Sequence, residues 1–257
     1  MIAGSGPDTV LVHGSVGDYR QWDPIAAHLA SRRTVLAVSR RYHWPNAMPP
    51  RGVRYTYEEH RDDLLKYLRA RARPAHLVGH SYGAGVVLLA ALSDPSSIRS
   101  LTLIEPAFNS LLPAEAPDLE CEQVSRASMV ADVRARAAQG DDAGATRALI
   151  DWVQGGRGGF DGLPDAVQQW MLDNAATAGA TVSFTPPEVT LEQLHALVVP
   201  TLVMTGERTR LYYRLIGERV ASAVPRARHE RVRDAAHMSI VEQPQHVADL
   251  LADFIPA

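Results

Sequence analysis

His76-Leu77-Val78-Gly79-His80-Ser81-Tyr82-Gly83 is the stretch on which the reading of this chain turns: an apolar run breaks into Gly-x-Ser-x-Gly and continues as a helical pattern to Leu92. A strand before and a helix after make the pattern far more specific than its five residues alone. The two glycines let the backbone swing so tightly from strand to helix that the serine between them is strained, with its hydroxyl above the sheet. The helix amino terminus behind it favours negative charge. Ser81 is therefore a candidate nucleophile, and the plainer reading is a structural turn with an idle serine.

Outward from this turn, short β-branched and aliphatic runs alternate with longer amphipathic segments, the mark of βαβ units stacking into a parallel sheet. Strands are expected at Thr9–Val12, Thr34–Val38, His76–Gly79, Leu101–Ile104, Thr201–Met204 and, more weakly, His229–Val232. Helices are expected at Asp23–Ser31, Thr56–Ala72, Gly83–Leu92, Tyr212–Val224 and Pro244–Phe254. The expected fold class is α/β, doubly wound around a mostly parallel sheet. Residues 106–196 interrupt the alternation with helical patterns at Leu119–Ala138, Ala143–Val153 and Asp165–Ala178. They read as a helical cap inserted into a core made of residues 1–105 and 197–257. Such an insert would cover the carboxyl edge of the sheet, where folds of this class bind ligands.

A length of 257 residues, 46% hydrophobic and 21% charged, excludes disorder and suits one large core. The net charge of −3 offers no basic field for nucleic acid. The stretch Ser81–Ser93, free of charge and of histidine, is too short to cross a bilayer, so no membrane span is expected. Met1-Ile2-Ala3-Gly4-Ser5-Gly6-Pro7 lacks the pattern of a secretory leader, so a cytoplasmic address is expected. Cys121 is the one cysteine and can form no intramolecular disulfide; neither metal nor cofactor is expected.

A serine hydroxyl needs a base within reach, normally a histidine held by a carboxylate. Among ten histidines, His237 stands out in the loop Asp234-Ala235-Ala236-His237-Met238, between the last strand and the last helix. His28, His60, His195 and His246 read as surface or packing residues. His80 should point to another side of the turn, and His13 should fix its own loop. That loop, Val12-His13-Gly14-Ser15-Val16-Gly17, follows the first strand and can present backbone donors; the N–H groups of Ser15 and Tyr82 are the candidates for holding an oxyanion.

Strand, His-Gly turn, Gly-x-Ser-x-Gly, helical insertion and late histidine, in this order, resemble the α/β-hydrolase family over nearly the whole chain. Asp18-Tyr19-Arg20-Gln21-Trp22, Leu103-Ile104-Glu105-Pro106 and Thr205-Gly206-Glu207-Arg208 look like its small bacterial esterase and lactonase-type members. Two departures stand out. The antiparallel strands that usually open the sheet are expected to be missing, and Ser39-Arg40-Arg41-Tyr42 replaces the usual aspartate and glycine-rich turn. The resemblance also implies an acid at the position of Thr209, which cannot serve.

Glu105, Glu207 and Asp234 remain as acids near the carboxyl edge. Glu105 is favoured: one helix, a turn and an adjacent strand separate it from Ser81, and Pro106 should hold its backbone extended. The resemblance supports it, since haloalkane dehalogenases and zearalenone lactonases place an acid similarly. The plainer reading of Glu105 is an ion pair to an arginine.

The expected activity is cofactor-independent hydrolysis of a carboxylic ester, lactone or thioester of a medium-sized apolar or aromatic small molecule, through an acyl-enzyme. Ser81, His237 and Glu105 would act together, and Phe108, Trp152, Trp170, Met171 and Met238 could line the substrate pocket. Serine in place of aspartate at the turn argues against dehalogenase and epoxide hydrolase chemistry. A ligand receptor or a lyase on the same fold is the alternative.

Overall fold

The computed structural model describes residues 1–31, 33–50, 52–71 and 73–255. Its elements run β1 (Ile2–Ala3), β2 (Asp8–Val12), α1 (Asp23–Ala30), β3 (Thr34–Val38), α2 (Tyr57–Arg71), β4 (Ala75–His80), α3 (Tyr82–Ser93) and β5 (Ile98–Ile104). Five helices follow: α4 (Leu119–Ala138), α5 (Asp142–Val153), α6 (Asp165–Asp173), α7 (Ala178–Ser183) and α8 (Leu191–His195). The chain then returns through β6 (Thr201–Gly206), α9 (Leu211–Ala223), β7 (Arg228–Val232), α10 (Ser239–Glu242) and α11 (Pro244–Phe254).

Seven strands form one sheet in the order β1-β3-β2-β4-β5-β6-β7, parallel throughout except for β1. Strands buried on both faces need apolar side chains at successive positions, which is why β2, β4 and β6 are continuous rather than alternating runs. Successive residues still divide between the two faces. Leu11, Val78, Ile104 and Leu202 pack with Trp22, Ile25 and Leu29 of the α1 region and Val247 and Leu251 of α11. Val10, Val12, Leu77 and Leu103 pack with Leu64 and Leu68 of α2, Val86 of α3 and Ile216 of α9. The winding reverses between β2 and β4, so the turns that follow these two strands flank the crevice where such sheets bind ligands.

Three features differ from the sequence reading. The sheet does open with an antiparallel strand: Ile2 and Ala3 pair with Leu36 and Val35. Two residues, with Ile2 71% exposed, carry no alternation to read. The expected helix Asp165–Ala178 breaks at Asn174, after which a 3-10 turn leads into α7. Asn174 is fully buried there, with its amide bonded to Asp18, to the Trp170 carbonyl and to the Trp44 N–H. Finally, α8 and the short α10 have no counterpart among the expected helices; a capping box of Thr190 and Gln193 starts α8. Ala72, the expected end of α2, lies outside the described residues.

Polar ties fasten the helices between β5 and β6 to the rest of the fold. Asn174 donates to Asp18 Oδ2 at 2.7 Å, Arg210 grips Glu122 through two bonds of 2.8 and 2.7 Å, and Gln154 donates to Glu242 at 2.9 Å while accepting from the Met238 N–H at 3.1 Å.

Candidate active site

Ser81 sits at the junction of β4 and α3 with φ +53° and ψ −116°, a conformation that non-glycine residues rarely adopt. Close approach explains the flanking glycines. A Cβ on Gly83 would lie 2.2 Å from the Val12 carbonyl oxygen, and one on Gly79 would lie 2.4 Å from that of Gly83. The Ser81 N–H donates to the Ile104 carbonyl at 2.8 Å, which ties the bend to the end of the neighbouring strand.

The next residue but none on that strand is Glu105, whose carboxylate is fully buried. Its Oε1 accepts from the Gly206 N–H at 2.6 Å, and its Oε2 accepts from the Thr209 hydroxyl at 2.5 Å and from His237 Nδ1 at 3.2 Å. None of these partners is an arginine. The expected extended backbone at Glu105 is corrected: φ is +55°. Two short hydrogen bonds from the end of β6 and the loop after it over-determine the side chain and hold the unfavourable backbone in place. Thr209, standing where the resemblance implies an acid, is thus a donor to the acid on the adjacent strand. Glu207 is exposed and accepts from the Asp234 N–H at 3.2 Å, and Asp234 is exposed too, so neither reaches the imidazole.

His237 is buried, its ring 4.2 Å from that of Tyr213 and 4.9 Å from that of His80, measured between centroids. His80 Nε2 bonds the His237 carbonyl at 2.9 Å and so supports the loop, and His80 borders the small cavity together with Ser81 and His237 rather than pointing away from it. With Nδ1 directed at Glu105, His237 Nε2 is left as the proton acceptor. Burial lowers the His237 pKa to about 3 and thereby keeps the imidazole in its neutral, basic form. Burial pushes the Glu105 pKa up, while the Thr209 hydroxyl and the Gly206 N–H pull it down and favour the charged carboxylate. Among the hydrogen bonds of the described residues none joins Ser81 to His237; the two groups meet across a small cavity.

That cavity is one of two lobes that share Ser15, Ser81, Leu149 and Tyr213. The larger, of about 140 Å³, is bordered by Tyr57, Met129, Trp152, Phe184 and Tyr212 among others. The smaller, of about 40 Å³, is bordered by Gln21, Val153, Trp170, Met171, His237 and Met238. Trp152 therefore lines one lobe and Trp170, Met171 and Met238 the other. Phe108 lines neither. It is fully buried beneath Tyr57 and Gly85, where an aromatic ring fills the space between α3 and the insert.

The turn after β2 carries the Ser15 N–H, and the first turn of α3 carries that of Tyr82. Neither donates to a protein acceptor among the described residues. The turn is fastened one residue earlier. The Gly14 N–H donates to Gln21 Oε1 at 3.1 Å, and the Gly14 carbonyl accepts from His13 Nδ1 at 2.8 Å and from Arg40 Nη2 at 2.9 Å. In a trans peptide the N–H points opposite the carbonyl, so drawing Gly14 O towards Arg40 turns the Ser15 N–H the other way.

Arg40 was legible in the sequence merely as a departure from the family pattern. It is 6% exposed, lies 4.3 Å from the centroid of the Tyr82 ring and bonds Tyr55, His60 Nδ1 and Gly14, with no carboxylate partner among the described residues. The backbone N–H of Arg40 donates to His13 Nε2 at 3.0 Å, which fixes the tautomer that donates to Gly14. A fork that holds a hydrogen-bond donor in place cannot be replaced by a point charge. Arg40→Lys should lower kcat by about 10- to 100-fold, less than outright loss of an oxyanion donor, with KM nearly unchanged. Steady-state kinetics on any ester the enzyme turns over checks this; a KM effect alone would assign Arg40 to substrate binding.

The model of the alpha/beta hydrolase family matches residues 9–250. The chain belongs to that family. Among curated relatives, the carboxylesterase YbfK of Bacillus subtilis is 25% identical over 260 residues, covering 97% of this chain and 80% of that protein. A 2-(acetamidomethylene)succinate hydrolase of Mesorhizobium japonicum is 33% identical over 134 residues, 51% of this chain and 47% of that protein. That match, then, spans about half the relative's length. Among solved structures, the enol-lactonase of Burkholderia xenovorans superposes with a TM-score of 0.77 at 21% identity, covering 99% of this chain and 94% of that one. At that identity the likeness speaks for the fold. An alpha/beta hydrolase with relatives of this kind is an enzyme of the hydrolase class, and no described helix is long and apolar enough to cross a membrane. Among the described residues no group of three or more His, Cys, Asp or Glu side chains could hold a metal ion.

Proposed function

We propose that this alpha/beta hydrolase cleaves a carboxylic ester, lactone or thioester of a medium-sized small molecule by a serine mechanism. The observation that carries the reading is the buried Glu105–His237 contact set across a cavity from a serine at a positive-φ bend. Ser81 attacks the acyl carbon while His237 Nε2 takes its proton, and Glu105 holds the imidazole and stabilises the imidazolium. The N–H groups of Ser15 and Tyr82 receive the oxyanion, and the amino terminus of α3 favours it. His237 gives the proton to the leaving oxygen, then draws one from water to release the acid from Ser81.

His237 borders the smaller lobe alone, so the leaving group departs through that lobe and the acyl part occupies the larger one. Forty cubic ångströms admits about two or three non-hydrogen atoms, whereas the larger lobe approaches the size of a benzene-binding cavity. A compact leaving group on a medium-sized acyl chain fits both. The insert, residues 106–196, acts as a cap over the site and supplies Trp152, Trp170 and Met171 to the walls.

A fluorophosphonate should modify the protein once, at Ser81, and Ser81→Ala should abolish both the adduct and the hydrolysis of methyl or short-chain aryl esters. Mass spectrometry of the adduct and of a trapped acyl-enzyme checks this. Binding of a small apolar ligand with neither labelling nor turnover would put a receptor in place of the hydrolase, and product release without an acyl-enzyme would indicate a lyase.

A further inference from the structure

Two arginines, Arg126 and Arg134, border the larger lobe, and no aspartate or glutamate does. Arg134 is engaged, donating through Nε and Nη2 to the Val182 carbonyl at 3.1 and 2.6 Å. Arg126 is not neutralised. The acidic residue one turn earlier on α4, Glu122, is held by Arg210 through both carboxylate oxygens. No carboxylate among the described residues lies within ion-pair distance of Arg126, which hydrogen-bonds Tyr212 and whose guanidinium carbon stands 5.0 Å from the centroid of the Tyr212 ring.

Tyr212 donates its hydroxyl proton to Asn109 Oδ1 at 2.6 Å. This fixes the amide of Asn109 with its oxygen occupied and its Nδ2 donors unused by the protein among the described residues, and Asn109 borders the same lobe. The half-buried Arg126 cation beside aromatic walls has lost part of its hydration and gains it back when an anion arrives, while Asn109, exposed at the edge of the lobe, offers a second donor. Carboxylates match a guanidinium fork and accept an amide N–H at the same time.

We propose that the acyl part of the substrate carries a carboxylate remote from the scissile carbonyl, seated on Arg126 and Asn109. The inference rests on the hydrolase reading for its direction: Ser81 attacks at one end of the lobe, and the anion anchors the other.

The test compares monomethyl esters of straight-chain dicarboxylic acids with methyl esters of monocarboxylic acids of equal length. At the best length, kcat/KM for the half-ester should exceed that of its neutral partner by about 10- to 100-fold, mostly through KM. Arg126→Met should bring that ratio close to one, and Arg126→Glu should shift preference towards methyl esters of ω-amino acids. Because the ratio is internal to each preparation, a partly unfolded variant does not mimic the effect. Calorimetry on Ser81→Ala reads the subsite without turnover: half-esters should bind about 10-fold more weakly once Arg126→Met is added. Equal kcat/KM for both series at every length, or a preference that survives Arg126→Met, overturns the carboxylate subsite and leaves the hydrolase reading standing. Arg126-dependent binding by Ser81→Ala, with no ester hydrolysed by the wild type, does the opposite.

Discussion

Glu105→Gln should lower kcat by about 10³- to 10⁴-fold, while Glu207→Gln should change it by less than about threefold. The first figure follows from what a carboxylate does for a catalytic imidazole: it selects the tautomer with a proton on Nδ1 and favours the imidazolium of the transition state. Glutamine keeps the shape and loses both effects, because its amide can donate to Nδ1 and so place the proton on the wrong nitrogen. The geometry offers no substitute. Glu207 accepts from the Asp234 N–H at the surface, and Asp234 is itself exposed. Burst and steady-state kinetics with one ester, on both variants, decide the matter, and the reverse ranking would remove Glu105 from the mechanism. Thermal melts accompany the comparison, since Glu105 also ties Gly206 and Thr209 to β5.

Stability should fall steeply as the pH drops from about 7 to 5, and the histidines are the cause. Burial lowers the pKa of His13, His43, His60, His80 and His237 below 6.5, with the nearby Arg40 adding to the effect at His13, His43 and His60. The folded state keeps all five neutral while the unfolded chain protonates them, so their stabilising contribution is present above about pH 6.5 and is lost as the pH falls. Each removes about 1.4 kcal/mol per pH unit once its unfolded form is charged. Glu105 works the other way: burial raises its pKa, so its contribution is greatest at low pH and is lost as the pH rises. Burial also lowers the pKa of His76 and His229 and raises that of Asp23, so seven imidazoles against two carboxyls leave acid destabilisation dominant between pH 6.5 and 4.5. Several kcal/mol is a large share of a domain's stability and corresponds to a fall in Tm on the order of 10 °C or more. Scanning calorimetry across this range checks it, and a flat Tm would mean that these imidazoles take up protons inside the fold. The acid limb of kcat/KM, which rises with pH through ionisation of His237, should lie below 6.5 as well, for the same reason.

The bend at Ser81 was legible because strand, glycine spacing and helix all state the same turn locally. The placing of Glu105 was legible from chain length between neighbouring parallel strands, but its left-handed backbone was not, since Pro106 by itself argues for an extended residue and the opposing bonds come from Gly206 and Thr209, about a hundred positions away. Asn174 shows the same limit. Nothing near it in sequence ends a helix, and its partner Asp18 lies 156 positions earlier. Phe108 was assigned to the pocket from its position after β5, yet only the side on which its ring falls decides between wall and core. Arg40 needed the structure because its role depends on a carbonyl in a different loop.

The ties between residues 106–196 and the rest of the fold come from several separate elements, with Asn174 on Asp18, Asp173 on Arg20, Glu122 on Arg210 and Gln154 on Glu242. A hatch fastened on several sides does not swing about one hinge. Phe184 and Arg134 border both the larger lobe and the outer groove beside Pro49 and Gly179, and we expect molecules to reach Ser81 by local rearrangement at this doorway. Widening that threshold, rather than loosening the roof, is the way to admit bulkier guests while keeping the chemistry below intact.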